Sequence, residues 1–406
     1  MNRRPAVILS AVLGLAWVGG CAGPSADRAA GAAAEAAVPA PEAVRALACR
    51  VAQYQAPRSL DGGNSWETAT FFAGLAAAHR LTGDPRHLQW CLHWAERNRW
   101  DRGTNPADAN DQCCGQTYLE LYFLKRDPAM VRGIRRDLDA EMARPYPRPV
   151  ALPAASARPS RPSTLHGYQG RGWHWCDALF MSPPVLARLG AATGEKKYFD
   201  YLHRMWRDTA AALYDPAERL FYRDGRYSDL TLTNGRKIFW SRGNGWVMAG
   251  TARVLEYLPA DDPERPRYVD LLRAMAEAVA RCQGADGLWR TDLLAPEAYP
   301  EPETSGSAFF CYALAWGINR GLLAPERYRP VVAKAWAALD RSVSPEGRLL
   351  GVQPPAYEPE PGPFDNGRDV TARNGAVRRL YRENEYGAGA LLLAASEVAR
   401  PDGERK

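Results

Sequence analysis

Apolar residues fall along this chain in two alternating textures. Residues 66–81, 111–125, 175–193, 243–257, 305–320 and 386–398 are rich in Ala, Gly and aromatics on every side. Residues 41–54, 85–98, 128–143, 195–213, 265–283 and 325–341 instead carry charges on one face and apolar residues on the other. A helix that is apolar all round is buried, and an amphipathic helix shields it from water. Six of each in alternation predict an all-α fold: an (α/α)6 barrel, an inner ring of six helices wrapped by an outer ring. The joints agree. Short turns such as Thr82-Gly83-Asp84-Pro85 and Thr193-Gly194-Glu195-Lys196 lead from an apolar helix to its amphipathic partner. Gly there suits a left-handed cap, and Pro or an acid opens the next helix. The opposite joints are longer and hold strand-like pieces, Leu220-Phe221-Tyr222-Arg223 and Gly287-Leu288-Trp289-Arg290. Two Pro-rich runs, 145–162 and 354–363, read as long loops on that same rim.

In such a barrel every inner helix starts at one rim, so the first residues of all six converge. They are Ser65, Trp66 and Glu67; Asp111 and Gln112; Trp175 and Asp177; Arg242, Asn244 and Trp246; Thr304 and Ser305; Glu385 and Tyr386. Acids, an arginine fork and aromatic plates together suit a carbohydrate, whose faces stack on rings and whose hydroxyls need polar partners. Asp177 stands out because it follows Trp173 and Trp175 and opens an apolar helix. An acid beside rings is poorly solvated, and its pKa rises towards the range useful for proton donation. Helix capping is the alternative for both Asp177 and Asp111.

Charge and cysteine content narrow the picture. The formal charge of +6 over 406 residues comes without a long basic run, so no nucleic-acid partner is expected. Arg3 and Arg4 followed by the apolar stretch 6–18 read as a targeting segment too short to span a bilayer. Val18-Gly19-Gly20-Cys21 resembles a bacterial lipobox, which predicts a signal peptide at 1–21, cleavage before Cys21 and a lipid on that thiol; plain cleavage is the alternative. Residues 22–40 read as a flexible tether and 41–406 as the catalytic domain. The mature protein is thus expected outside the cytoplasm, periplasmic or on the outer membrane, touching membrane only through Cys21. The seven other cysteines fit neither a zinc motif nor a dense disulfide scaffold, and the six histidines lack a ligand-like spacing, so no metal or other cofactor is expected.

Seven segments carry a family resemblance. They are residues 65–75 beginning Ser65-Trp66-Glu67, residues 107–118 around Asp111-Gln112-Cys113-Cys114, and His166 ahead of Trp175-Cys176-Asp177. They continue with residues 175–184, Trp240-Ser241-Arg242-Gly243-Asn244-Gly245-Trp246, residues 303–308 and residues 385–390. In these the chain resembles the unsaturated rhamnogalacturonyl hydrolases and the related unsaturated glucuronyl hydrolases, glycoside hydrolase families 105 and 88, more closely the former. The resemblance implies an (α/α)6 barrel that removes a Δ4,5-unsaturated uronic acid from the non-reducing end of polysaccharide-lyase products. The chemistry it implies is hydration: a proton goes to C4, water to C5, and the resulting hemiketal opens and expels the neighbouring sugar. One acid/base suffices for this.

By that resemblance Asp177 is the general acid/base and Asp111 a second acid whose nearness would keep Asp177 protonated. His166, Trp66, Gln112, Trp175, Arg242, Asn244, Trp246 and Arg223 are candidate substrate contacts, with Arg242 offered to the substrate carboxylate and Trp246 as a stacking face. The bland readings are a structural ion pair for Arg242, a core position for Trp246, a turn for Asn244 and a solvated loop for His166. The chain departs from well-known members at Phe221-Tyr222-Arg223-Asp224-Gly225-Arg226-Tyr227, where they have a histidine-bearing stretch; this bears on the leaving sugar. Adjacent Cys113 and Cys114 are expected as two buried thiols, since a disulfide between neighbours is strained. A conventional inverting glycosidase using Asp111 and Asp177, and a surface glycan-binding protein, are the rival functions.

Overall fold

The computed structural model describes residues 39–105, 108–144, 173–225, 227–228, 230–232, 235–354 and 385–400. The signal peptide and nearly all of the tether, Cys21, the run 145–162, His166, Arg226 and residues 355–363 lie outside the described residues.

The outer helices are α1 (Pro41–Ser59), α3 (Pro85–Arg97), α6 (Ala129–Met142), α9 (Lys196–Leu213), α11 (Arg265–Arg281) and α13 (Pro325–Arg341). The inner ones are α2 (Trp66–Thr82), α5 (Gly115–Lys125), α8 (Pro183–Thr193), α10 (Ser241–Leu255), α12 (Thr304–Asn319) and α14 (Glu385–Val398). Two inner positions are preceded by single turns, α4 (Ala109–Gln112) and α7 (Ala178–Met181). The sequence pattern predicts one helix at each of these positions. Pro183 and Pro184 supply no N–H to the ladder, so the second is cut at Ser182.

The inner ring closes on itself: α2 packs on α5, α5 on α8, α8 on α10, α10 on α12, α12 on α14, and α14 on α2 again. Each outer helix lies against its inner partner, and α1 covers the seam between α14 and α2. At that seam the backbones nearly touch. A Cβ on Gly74 would lie 2.2 Å from the carbonyl oxygen of Gly389, so only glycine fits. The short joints are as expected: Gly83 and Gly194 end α2 and α8 at φ 70 and 74, and Asp84 caps α3 by accepting from Arg86 N–H. The longer joints hold the hairpin β1 (Tyr214–Asp215) and β2 (Leu220–Phe221), with single bridges pairing Trp175 with Asp224 and Trp240 with Asp292.

Towards the C-terminal ends of the inner helices the interior is polar. Glu120 of α5 accepts from Arg80 at 2.7 Å, from Arg188 at 2.9 and 3.0 Å and from Tyr257 at 3.1 Å. Arg253 donates to Gln116, whose amide in turn donates to the Phe180 carbonyl. Buried charges need such partners.

Candidate active site

At the other rim the first residues of the inner helices come together in two layers. Trp66, Asp111, Trp175, Asp177 and Arg223 are half-buried, and Gln112, Arg242, Asn244 and Trp246 are fully buried beneath them. The aromatic stack joins the layers: Trp66 meets Trp246 edge-on at 6.0 Å and Tyr386 at 5.3 Å, and Trp246 packs on Phe309 at 4.2 Å and Phe180 at 4.7 Å.

Asp177 sits where the chain leaves the Trp175–Asp224 bridge and enters α7. The Arg223 carbonyl accepts from Cys176 N–H at 2.9 Å, which fixes the Asp177 backbone against the segment after β2. Burial pushes the Asp177 carboxyl above the usual carboxylate range, against the pull of Arg223 and Arg242. Neither arginine is spent on it. Arg223 pairs with Asp224 at 2.6 Å, and Arg242 donates to the carbonyls of Gln353 and Pro354, both at 2.9 Å, with Glu303 at 3.5 Å.

Asp111 lies under the loop before α4. Its carboxylate accepts from Asn105 N–H at 2.5 Å, and a Cβ on Gly103 would fall 2.3 Å from it. Its pKa is also raised, by burial first and then, against the Asn105 hydrogen bond, by nearby Asp108. Burial is therefore the leading cause for both acids, as poor solvation predicts for Asp177; Asp111, expected to help keep Asp177 protonated, is not among the leading causes there.

The buried layer holds the rim together, which changes the expected part of four candidates. Asn244 exchanges hydrogen bonds with both backbone groups of Phe221 and donates to Trp240 O, so it ties β2 to α10. Gln112 accepts from Ser182 and donates to Glu141, both at 2.5 Å, bridging three elements. Trp246 is 0% exposed, a core ring and no stacking face. Arg242, also 0% exposed, has its terminal nitrogens on main-chain carbonyls and an acid, so it anchors Gln353–Pro354 instead of standing open for a substrate carboxylate. Cys113 and Cys114 are buried free thiols.

Several partners escape the sequence reading. Glu303 is fully buried and caps α12 at Gly306 N–H; an acid three residues before that Gly is the one local signal. Asp292, 0% exposed beside the Trp240 bridge, is pushed up to about 6 by burial, and no periodicity marks it. Gln353 binds Arg242, Thr291 and Tyr386 from far along the chain.

Residues 48–401 match the model of the family described as Glycosyl Hydrolase Family 88. An unsaturated 3S-rhamnoglycuronyl hydrolase of Formosa agariphila is 35% identical over 343 residues, 82% of this chain and 84% of that protein. The structure of a glycosyl hydrolase family 88 protein from Bacteroides vulgatus aligns with a TM-score of 0.74 at 31% identity, over 89% of this chain and 99% of that one. A structure described as a polysaccharide lyase aligns with a TM-score of 0.75 at 31% identity, over 89% and 97% of the two chains.

Proposed function

This chain belongs to glycosyl hydrolase family 88, and on that footing we propose that Asp177 is the acid with which it hydrates the Δ4,5-unsaturated uronic acid of lyase products. The enzyme is a hydrolase of that unsaturated unit. The observation that supports Asp177 is its setting: a half-buried carboxyl at the inner rim, beside Trp175, with its pKa raised by burial. A carboxylic acid held protonated near working pH can donate.

Asp177 delivers its proton to C4 of the vinyl ether, and positive charge develops at C5 and the ring oxygen. Water adds at C5 and returns its proton to the Asp177 carboxylate. The hemiketal so formed opens to a ketone, C1 becomes a hemiacetal, and its collapse to an aldehyde frees the leaving sugar. Asp111 orders the neighbouring loop and supplies a second acid. Trp66 and Trp175 are the half-open rings against which a sugar can stack, and Arg223 is the cation that pulls most on the reacting acid.

The uronic acid itself leaves little to choose. Glucuronic and galacturonic acids differ only at C4, and elimination makes C4 and C5 planar, so both give the same unsaturated unit. Selection falls on the anomeric bond and the leaving sugar. A rhamnose leaving sugar is supported by the rhamnoglycuronyl hydrolase at 35% identity. We extend the reading to export: a lipid on Cys21 would hold the enzyme where lyase products accumulate, and a Cys21→Ser chain would then lose acyl label and membrane association.

The test is ultraviolet absorbance of the conjugated double bond in unsaturated disaccharides with rhamnose as the second sugar. Absorbance falls with the parent enzyme and holds with Asp177→Asn. A rise on saturated polymer would reveal a lyase instead. An unchanged signal with every unsaturated substrate, together with cleavage of saturated oligosaccharides, would point to a conventional glycosidase.

A further inference from the structure

At the far end of α2 from Trp66, roughly 25 Å along its axis, three side chains with metal-binding atoms meet. They are Cys49 on α1, Asp84 at the cap of α3 and His87 in the first turn of α3. The Cys49 thiol, an Asp84 carboxylate oxygen and a His87 ring nitrogen all lie within 4.8 Å of one another. His87 is 0% exposed, and Cys49 and Asp84 are half-buried.

The hydrogen bonds around His87 fit one tautomer. Thr82 Oγ1 lies 2.8 Å from the Ala78 carbonyl, and its one hydroxyl hydrogen is well placed for that acceptor. Towards His87 Nδ1, 3.1 Å away, Thr82 Oγ1 can therefore only accept, as it does from Asp84 N–H. In that arrangement Nδ1 carries the proton, and Nε2 of the neutral ring presents a lone pair. That atom is buried with no hydrogen-bond partner. Asp84 Oδ2 stands 4.0 Å from it, beyond hydrogen-bond reach, so a second ring proton would find no acceptor there. Beside this buried lone pair, the Asp84 carboxylate and the Cys49 thiol complete a set of three donors that a cation could join. Arg86 also holds the Asp84 carboxylate, through its backbone N–H at 2.9 Å and its guanidinium at 3.1, 3.1 and 2.6 Å, so a metal at Oδ2 would displace part of an exposed ion pair, which costs little.

We propose that Cys49, Asp84 and His87 form a zinc site, with water as the fourth ligand. One nitrogen, one thiolate and one carboxylate oxygen are a donor set that suits tetrahedral zinc. The Thr82 contact to Nδ1–H is the outer hydrogen bond that holds a ligating histidine in its tautomer. The distances need only close by a fraction of their present length to reach tetrahedral geometry. Bound there, zinc staples α1, which covers the barrel seam, to the joint between α2 and α3. The site is independent of hydration chemistry at the other rim.

The full-length chain is dialysed against micromolar free zinc and its metal counted, and cobalt is then used as a spectroscopic stand-in. The parent is expected to retain one zinc at this site, to melt several degrees higher with zinc than without, and to show a thiolate-to-cobalt charge-transfer band. Cys49→Ser loses the band and weakens zinc binding about tenfold or more. Asp84→Asn, which still caps α3, also weakens binding while its metal-free melting temperature stays close to the parent's. Failure of the parent to retain zinc overturns the proposal. So does an unchanged band and stoichiometry in Cys49→Ser, which would put the metal on another thiol.

Discussion

Glu120 and Asp177 are both carboxylic acids inside one barrel, the first towards the C-terminal ends of the inner helices and the second at their N-terminal rim. Burial pushes both pKa values upward. At Glu120 the guanidinium groups of Arg80, Arg188 and Arg253 outweigh it and take the carboxyl down to about 2. At Asp177 two arginines are again close, yet the net shift is upward. The difference lies in where the arginines spend their hydrogen bonds. Arg80 and Arg188 donate directly to Glu120, whereas Arg242 is bound to carbonyls and Arg223 to Asp224. A cation at charge distance but already engaged stabilises an anion much less than one that donates to it. One end of the barrel has an anion held by its cations, and the other has an acid whose protonated form burial favours.

The comparison can be broken at either end. Asp177→Asn is expected to cut turnover about a thousandfold with little change in melting temperature, read from the loss of double-bond absorbance. Glu120→Ala should do the reverse, leaving Arg80 and Arg188 without their counter-ion. Denaturant unfolding is expected to show a loss of roughly 3–5 kcal/mol, while kcat/KM per folded molecule holds. Glu120 also sets a pH dependence. Its folded pKa lies below the unfolded value, so its contribution is complete above the ordinary Glu range and is lost as pH falls towards about 2. Glu120→Gln removes that part of the acid unfolding curve, on the order of a few kcal/mol. The smallest effect sharpens the rim. Arg223 holds Asp177 down, so Arg223→Met raises the Asp177 pKa further. If Asp177 is the donor and must be protonated, the alkaline limb of the kcat/KM profile moves up; a downward move would show that another group sets that limb.

The ring of helices was legible because inner and outer burial leave different one-dimensional patterns. The predicted bounds 265–283 and 325–341 meet helices at Arg265–Arg281 and Pro325–Arg341. At 175–193 the apolar pattern runs straight through Pro183 and Pro184, whose missing N–H groups interrupt the helix regardless of hydrophobicity. The rim was legible as a set of residues but not as two layers. Each step along a helix turns the side chain by about 100°, so Arg242, Asn244 and Trp246 share a motif yet meet different partners. Arg242 is claimed by Gln353 and Pro354, more than a hundred positions on. Asp292 and Glu303 acquire their burial from the same kind of remote contact. Cys49 belongs to no zinc-like spacing in the sequence, and only the packing of α1 on the α2–α3 joint brings it near His87.

The glycine contact between α2 and α14 also bears on how the chain matures. The first inner helix finds one of its two ring neighbours only when the last is available, so the longest sequence separation in the ring lies at its closure. Contacts of such separation form late, because the loop entropy must be met before they reward it. A chain still emerging from the ribosome can stack helices one after another, but its apolar faces on α2 and α12 stay open to water until α14 arrives. Sequences ending short of Glu385 should therefore be recovered as aggregates instead of smaller barrels.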